Sequence, residues 1–261
     1  MTEINKTLYI PLYGKALCSR KGIILHDEKA EQIWEKAGFP LKGKSRSKWL
    51  AYYMGMRASV FDGWVREKCL LDKGALVLHI GCGLDSRVER VGTENPWYDV
   101  DFPDVIAERR KYFKEKANYT MLSADVRGEA WLSALPKGEN AIVIMEGVSM
   151  YFAPEELAAL VSRISAHFGT VALLMDCYTV FAAKASKYKN PINDVGVTYV
   201  HGYDSGEEAV GGAITFLRER EMTPKEKTAE LRGAERAVFC GVYGGALAKK
   251  LYKLYEYEKV R

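Results

Sequence analysis

The sequence predicts an α/β fold built on a mostly parallel sheet, and three observations carry that prediction. An apolar run rich in β-branched residues, Ala75 to Ile80, stops abruptly at Gly81-Cys82-Gly83. A second short strand, Trp97-Tyr98-Asp99-Val100-Asp101, follows about one βαβ unit later and ends in acids. Further apolar runs alternate with helix starts, two of them marked by Pro103 and Pro154. Strands alternating with helices argue for a parallel sheet covered by helices on both faces.

Residues 1–71 read as a helical, basic-aromatic extension ahead of the sheet. Over 28–37, Ala30, Ile33, Trp34 and Ala37 recur at helical spacing. The cationic stretch 42–48 reads as a solvated loop, and 59–70 as a second helix with Val60, Trp64 and Val65 inward. Strands are expected over 75–80, 98–100, 119–122, 141–145 and 171–175, with helices starting near Leu84, Pro103, Arg127 and Pro154. Pro154-Glu155-Glu156 combines proline in the first turn with acids at the positive end of the helix dipole. Beyond Met175 the pattern predicts a helix over 178–188, a loop over 189–196, and a helix over 205–219 capped by Ser205. A helix over 234–250 and a last strand over 251–258 complete the chain.

The 261 residues suffice for one large α/β domain with a sizeable core. A formal charge of +4 does not demand a nucleic-acid partner. Five cysteines, at positions 18, 69, 82, 177 and 240, form no C-x-x-C pair and no metal-like cluster with the four histidines. Scattered thiols in odd number suggest a reducing, cytoplasmic home. No basic-then-apolar leader and no run of bilayer-spanning length is evident. No metal, nucleic-acid or membrane partner is therefore expected.

The glycine turn identifies a ligand site. Glycine reaches φ > 0 and carries no Cβ to block a ligand, and the following backbone N–H groups can face an anion or nucleoside. An acid closing the second strand can accept from both ribose hydroxyls, which points to Asp101. A dinucleotide fingerprint would place a third glycine where Ser86 stands, which argues against a nicotinamide-dependent dehydrogenase. His79, just before the turn, reads as a hydrogen-bonded core residue. Glu146 follows Ile142-Val143-Ile144-Met145, and an acid there is costly to bury unless it is paired. Asp125 can cap the segment that starts at Arg127.

Several blocks in order resemble one family. Gly81-Cys82-Gly83-Leu84-Asp85-Ser86-Arg87, Tyr98 to Pro103, and Glu146-Gly147-Val148-Ser149-Met150-Tyr151-Phe152 resemble the leucine carboxyl methyltransferase family. Within it, they are most similar to the bacterial branch associated with polyketide O-methyltransferases. Tyr9-Ile10-Pro11-Leu12-Tyr13-Gly14-Lys15-Ala16, Leu25-His26-Asp27, Tyr52 to Arg57 and Phe61-Asp62 resemble that branch's opening. The resemblance implies a Rossmann-like class I methyltransferase with an N-terminal helical extension and an antiparallel last strand. It implies a single domain: a cap over 1–71 and a core over 72–261, with a lid insertion near 177–204.

The implied cofactor is S-adenosylmethionine, and the family's pattern carries over residue by residue. Arg57 would pair with the methionine carboxylate, bidentate in a way lysine cannot match, with Lys15 a second candidate for that end. Gly81 and Gly83 would lie along the methionine and ribose, Asp101 on the ribose, and Glu146 near the ammonium. Asp125 would accept from the adenine amino group, with the Val126 N–H beside it. The implied activity is O-methylation of a carboxylate or hydroxyl on a small, polyketide-like acceptor. The alternatives are methylation of a protein C-terminus, or cofactor binding without turnover. A carboxylate acceptor needs no base, whereas a phenol would use one. Tyr151, His201 and Tyr203 are the candidates for acid–base work. Tyr151, Phe152, Tyr178, Tyr188, Tyr199 and Tyr203 lie on segments that could wall an acceptor pocket.

Overall fold

A computed structural model describes residues 6–137, 139–186 and 199–260. Three helices come first: α1 (Tyr9–Arg20), α2 (Glu28–Ala37) and α3 (Lys48–Leu71). The sheet follows as β1 (Leu76–Ile80), β2 (Trp97–Asp101), β3 (Tyr119–Ser123), β4 (Asn140–Met145) and β5 (Thr170–Tyr178). Between these strands lie α4 (Arg87–Val91), α5 (Pro103–Arg109) and α6 (Pro154–His167). The last part holds α7 (Val180–Ala185), α8 (Gly206–Ala209), β6 (Thr215–Glu219), α9 (Lys225–Thr228), α10 (Gly233–Val242), α11 (Ala246–Lys249) and β7 (Tyr252–Lys259).

The seven strands lie in the order β3-β2-β1-β4-β5-β7-β6. β1 to β5 are parallel, and β7 is antiparallel to both of its neighbours, as expected for the last strand. The order reverses at β1, which has β2 on one side and β4 on the other. Ligands gather at such a reversal, beyond the carboxyl ends of the strands.

Alternate side chains of each buried strand feed two cores. Ile142 and Ile144 of β4 pack with Trp64, Phe61 and Tyr52 of α3. Ala141, Val143 and Met145 face the other way, onto Leu157, Leu160, Val161 and Ile164 of α6. Those four recur at i, i+3, i+4 and i+7, and each contributes about 1.5–3 kcal/mol by burial. Glu156 accepts the N–H of Ala153 at 2.8 Å, fixing the start of α6 where the sequence places it.

Several expectations are corrected. Residues 205–219 do not form one helix. Ser205 does cap α8, accepting from the Glu208 N–H at 3.1 Å, but 215–219 is the edge strand β6. Most of that strand is exposed, so it lacks the apolar alternation that marks a buried one. No α-helix starts at Arg127: the chain turns there and forms a single 3-10 segment, Ala130–Ala134. The helix near Leu84 starts at Arg87, and β5 runs on to Tyr178, so α7 starts later than expected. The expected 234–250 helix is two pieces, separated at Gly244-Gly245. Conversely, α3 starts at Lys48, ten residues and more before the expected start, and the cationic stretch contracts to a 3-10 turn, Gly43–Arg46. The loop over 189–196, and Tyr188, lie outside the described residues. Among the described residues, no helix is long and apolar enough to cross a membrane.

Candidate active site

The turn after β1 requires its glycines. Gly81 and Gly83 have φ of +66° and +52°. A Cβ on Gly81 would lie 2.1 Å from Val148 Cγ2. The Gly83 N–H donates to Asp101 Oδ2 at 2.8 Å, and the Phe102 N–H donates to Oδ1 at 2.8 Å. Burial pushes the Asp101 carboxyl up to about 6, with these two N–H groups pulling the other way.

Asp99, two residues earlier, faces the interior. It accepts from Trp97 Nε1 at 2.9 Å and from the Tyr119 hydroxyl at 2.6 Å, and it pairs with Arg109. Burial raises its pKa, but Arg109 and the other donors hold it at about 2. His79 Nδ1 lies 3.2 Å from Asp99, and Nε2 lies 3.4 Å from Arg87 Nη1. Since Arg87 can only donate, Nε2 accepts, which leaves the proton on Nδ1, buried beside Asp99 without a well-formed hydrogen bond. Burial keeps the imidazole below its usual pKa. His79 is thus the hydrogen-bonded core residue expected.

Above the strand ends sits a buried charge network. Glu146 lies at the end of β4 between two guanidinium groups. It accepts from Arg57 Nε at 3.0 Å and pairs with Arg87. Burial opposes its ionisation, yet Arg87 and Arg57 hold its carboxyl at about 2. Arg57 Nη1 also donates to Asp176 Oδ2 and to the Tyr252 hydroxyl, both at 2.8 Å. Asp176 in turn accepts from the Tyr252 hydroxyl at 2.5 Å and from the Gly147 N–H at 2.6 Å. Arg87 Nε reaches Asp62 at 2.7 Å, while Arg90 reaches Asp62, Asp85 and Asp27 at 2.6–2.7 Å. Lys15 Nζ lies 3.1 Å from Asp85.

Lys15, Arg57, Arg87 and Arg90 thus meet five carboxylates, from Asp27, Asp62, Asp85, Glu146 and Asp176. The carboxyl groups outnumber the cations by one even before Asp101 is added, and burial raises the Asp176 carboxyl above its usual value. Buried ions on this scale persist only when each is paired, and the surplus suits a cationic ligand.

A cavity of about 1010 Å³ opens over these residues. Of the residues singled out from the sequence, it brings together Lys15, Arg57, Gly81, Gly83, Asp101, Val126, Glu146 and Tyr151. Asp125 is not in its wall. Its side chain is half-exposed and accepts the Arg127 N–H at 3.0 Å, so it closes the turn, while Arg127 itself lines the cavity. His201 and Tyr203 also stand apart. The His201 ring meets Tyr199 edge-on at 4.9 Å, and the buried Tyr203 hydroxyl donates to Phe152 O at 2.8 Å. Tyr178 and Phe152 line the cavity, whereas Tyr199 is exposed. Burial pushes the Tyr151 phenol up to about 12, so it stays protonated at neutral pH.

Sequence reasoning gave no role to Asp176, Asp85, Arg87 or Tyr252. Asp176 had a usable signal: like Glu146, it follows a buried apolar strand. Asp85 and Arg87 stand inside the glycine-turn motif. Tyr252 had none: its strand was expected over 251–258, but its partners Arg57 and Asp176 lie far from it in the sequence.

The glycine turn at the sheet's reversal, the acid closing β2 and the antiparallel β7 together define a class I methyltransferase. A model of the leucine carboxyl methyltransferase family matches residues 3–165, and the chain belongs to that family. It is 28% identical over 248 residues to the tetracenomycin polyketide synthesis O-methyltransferase TcmP of Streptomyces glaucescens, covering 93% of this chain and 92% of that protein. It is also 28% identical over 186 residues to the S-adenosyl-L-methionine-dependent methyltransferase dpfgK of Gibberella zeae, covering 64% of this chain and 62% of that one. Among solved structures, a candidate methyltransferase from Thermobifida fusca YX superposes with a TM-score of 0.59 at 14% identity, covering 97% and 94% of the two chains. Magnesium protoporphyrin IX methyltransferase from Synechocystis PCC 6803, with bound S-adenosylhomocysteine, does so at 0.52 and 11%, covering 89% and 95%.

Proposed function

We propose that this protein is an S-adenosylmethionine-dependent O-methyltransferase acting on a small aromatic, polyketide-like acid. The single observation that carries this reading is the lining of the cavity. It combines Gly81, Gly83 and Asp101 and the buried charges of Arg57 and Glu146 with the apolar and aromatic side chains of Leu50, Met54, Tyr178 and Phe152. A nucleoside-bearing cation suits the first set, and a flat apolar acceptor suits the second.

In this reading Asp101 accepts from the ribose hydroxyls, and the glycine turn lies along the methionine and ribose. Arg57 meets the cofactor's carboxylate through Nη2, which lies over Gly147, while Glu146 and Asp176 hold the rest of the guanidinium. Glu146 lies near the ammonium, and Lys15 supports the same end through Asp85. Val126 and Arg127 border the adenine, and Asp125 reaches its amino group only if the 125–127 turn rearranges. α1 and α3 cap the site. Bound S-adenosylmethionine supplies a methyl group already activated by its sulfonium. The chain's own work is to orient the acceptor oxygen and exclude water. The Tyr151, Tyr53 and Tyr252 phenols are all raised by burial, so they donate hydrogen bonds and do not act as bases. Donors without a base favour a carboxylate acceptor over a phenol.

The test is calorimetric titration with S-adenosylmethionine, S-adenosylhomocysteine and NAD, followed by S-adenosylhomocysteine release on a panel of hydroxylated aromatic acids. Micromolar binding of the first two and ester formation on an aromatic acid are expected. A preference for NAD, or tight cofactor binding with no transfer to any acceptor, would remove the assignment.

A further inference from the structure

We infer that Tyr243 sets the upper length of the acceptor, by standing as a partition between the main cavity and a second one. The inference rests on the O-methyltransferase reading and deepens it. A smaller cavity of about 200 Å³ lies beside the main one, and Tyr53, Tyr243, Ala248 and Tyr252 line both. These four side chains are therefore the wall between them. Three of the four are aromatic: Tyr53 lies 5.6 Å from Tyr243 and 6.2 Å from Tyr252, ring centre to ring centre.

The four members differ in freedom. Tyr252 is fixed by Arg57 and Asp176, and Tyr53 is buried on α3. Ala248 is too small to move aside. Tyr243 is only partly buried, and its ring stacks on Phe239 at 5.4 Å. Its backbone is held, with the Tyr243 and Gly244 N–H groups both donating to Phe239 O, at 2.7 and 3.1 Å. Rotation of one side chain on a fixed backbone would join the two spaces.

What lies beyond differs chemically from the main cavity. The second cavity is lined by Glu219, Arg220, Glu221, Thr223 and Lys249. Lys249 pairs with Glu221 at 3.2 Å, and Arg220 with Glu256 at 2.6 Å. An acceptor short enough to stop at the partition stays within the main cavity. A longer one must push its far end past Tyr243, where hydroxyl or keto groups on that end would meet polar partners.

The probes are hydroxylated benzoic, naphthoic and anthracene carboxylic acids, with one, two and three fused rings. Binding of each is measured by calorimetry in the presence of S-adenosylhomocysteine, and kcat/KM is measured separately. Tyr243→Ala should raise affinity for the three-ring acid about tenfold relative to the one-ring acid, the scale on which a pocket contact discriminates. Tyr243→Phe should keep the wild-type ratio, since it keeps the ring. Tyr243→Leu, which preserves an apolar helix end, replaces the alanine variant if that one does not fold. An unchanged ratio in the shortened variants, or no binding of the three-ring acid to any variant, overturns the proposal. Failure of the methyltransferase reading would look different: no S-adenosylhomocysteine binding by the wild type.

Discussion

The Gly83 N–H and the Asp101 carboxylate are joined by a 2.8 Å hydrogen bond, so the turn after β1 and the end of β2 are held by one group. A carboxylate raised to about 6 is tied to the glycine loop that would carry the ligand.

Asp101→Ala should weaken S-adenosylmethionine binding by about 1–3 kcal/mol, the range for lost charge-assisted hydrogen bonds. The wild type should also lose affinity as pH falls through about 6, because protonation removes the charge and turns one of the two oxygens that could accept from ribose hydroxyls into a donor. Calorimetry between pH 5 and 8 checks both. A pH-independent affinity would move the ribose contact elsewhere.

Arg57→Lys should impair both folding and binding. A lysine offers one point charge where Arg57 serves Glu146, Asp176 and Tyr252 along two edges. Truncation to alanine would leave two buried carboxylates short of a partner and should cost about 3–5 kcal/mol in urea unfolding. Hydrogen exchange over α1 and α3 should slow on adding cofactor in the wild type, and less in the lysine variant. Equal protection in both would reduce Arg57 to a purely structural ion.

Glu146 should make the protein acid-sensitive. Its folded pKa, about 2, lies below the usual carboxylate value of 4.5. The stabilisation from ionised Glu146 is therefore complete above about pH 5 and is lost as pH falls toward 2. The shift corresponds to something on the order of 3 kcal/mol. The stability gap between wild type and Glu146→Gln should be largest at neutral pH and should close on acidification. A gap that stays constant with pH would contradict the pairing.

Gly81→Ala should be destabilising twice over, through φ of +66° and through the contact with Val148. About 1–3 kcal/mol is expected from the backbone alone. Adding Val148→Ala should recover the steric part and leave the backbone part, a difference readable in thermal melts. Full recovery in the double variant would show that φ carries no cost.

How far the sequence alone could reach depended on what each element packs against. β1 and β4 are buried on both faces and read as unbroken apolar runs, while α6 is buried on a helical period and Pro154 announces its start. β6 packs by one edge and little else, so 215–219 shows no period and reads as helix. The site divides in the same way. Gly81, Gly83, Asp101 and Glu146 stand at strand ends, where an abrupt change of residue type marks them. Asp125 lies in a turn that closes on itself, and nothing local distinguishes a carboxylate that caps from one that reaches a ligand. Tyr252 meets Arg57 only after the whole chain has folded, a relationship no window of sequence contains.

That last contact has a consequence for synthesis. The cavity draws Lys15 from α1 and Tyr252 from β7, and β7 slots between β5 and β6. No ribosome-bound intermediate lacking β7 can present the finished pocket, so a small molecule added during translation would find it only in chains that have already placed β7 in the sheet. Such a molecule would then act as a selective stabiliser of those chains, worth about 2.7 kcal/mol at a hundred times its dissociation constant. Cellular supply of the ligand would thereby influence how long each newly made copy survives proteolysis.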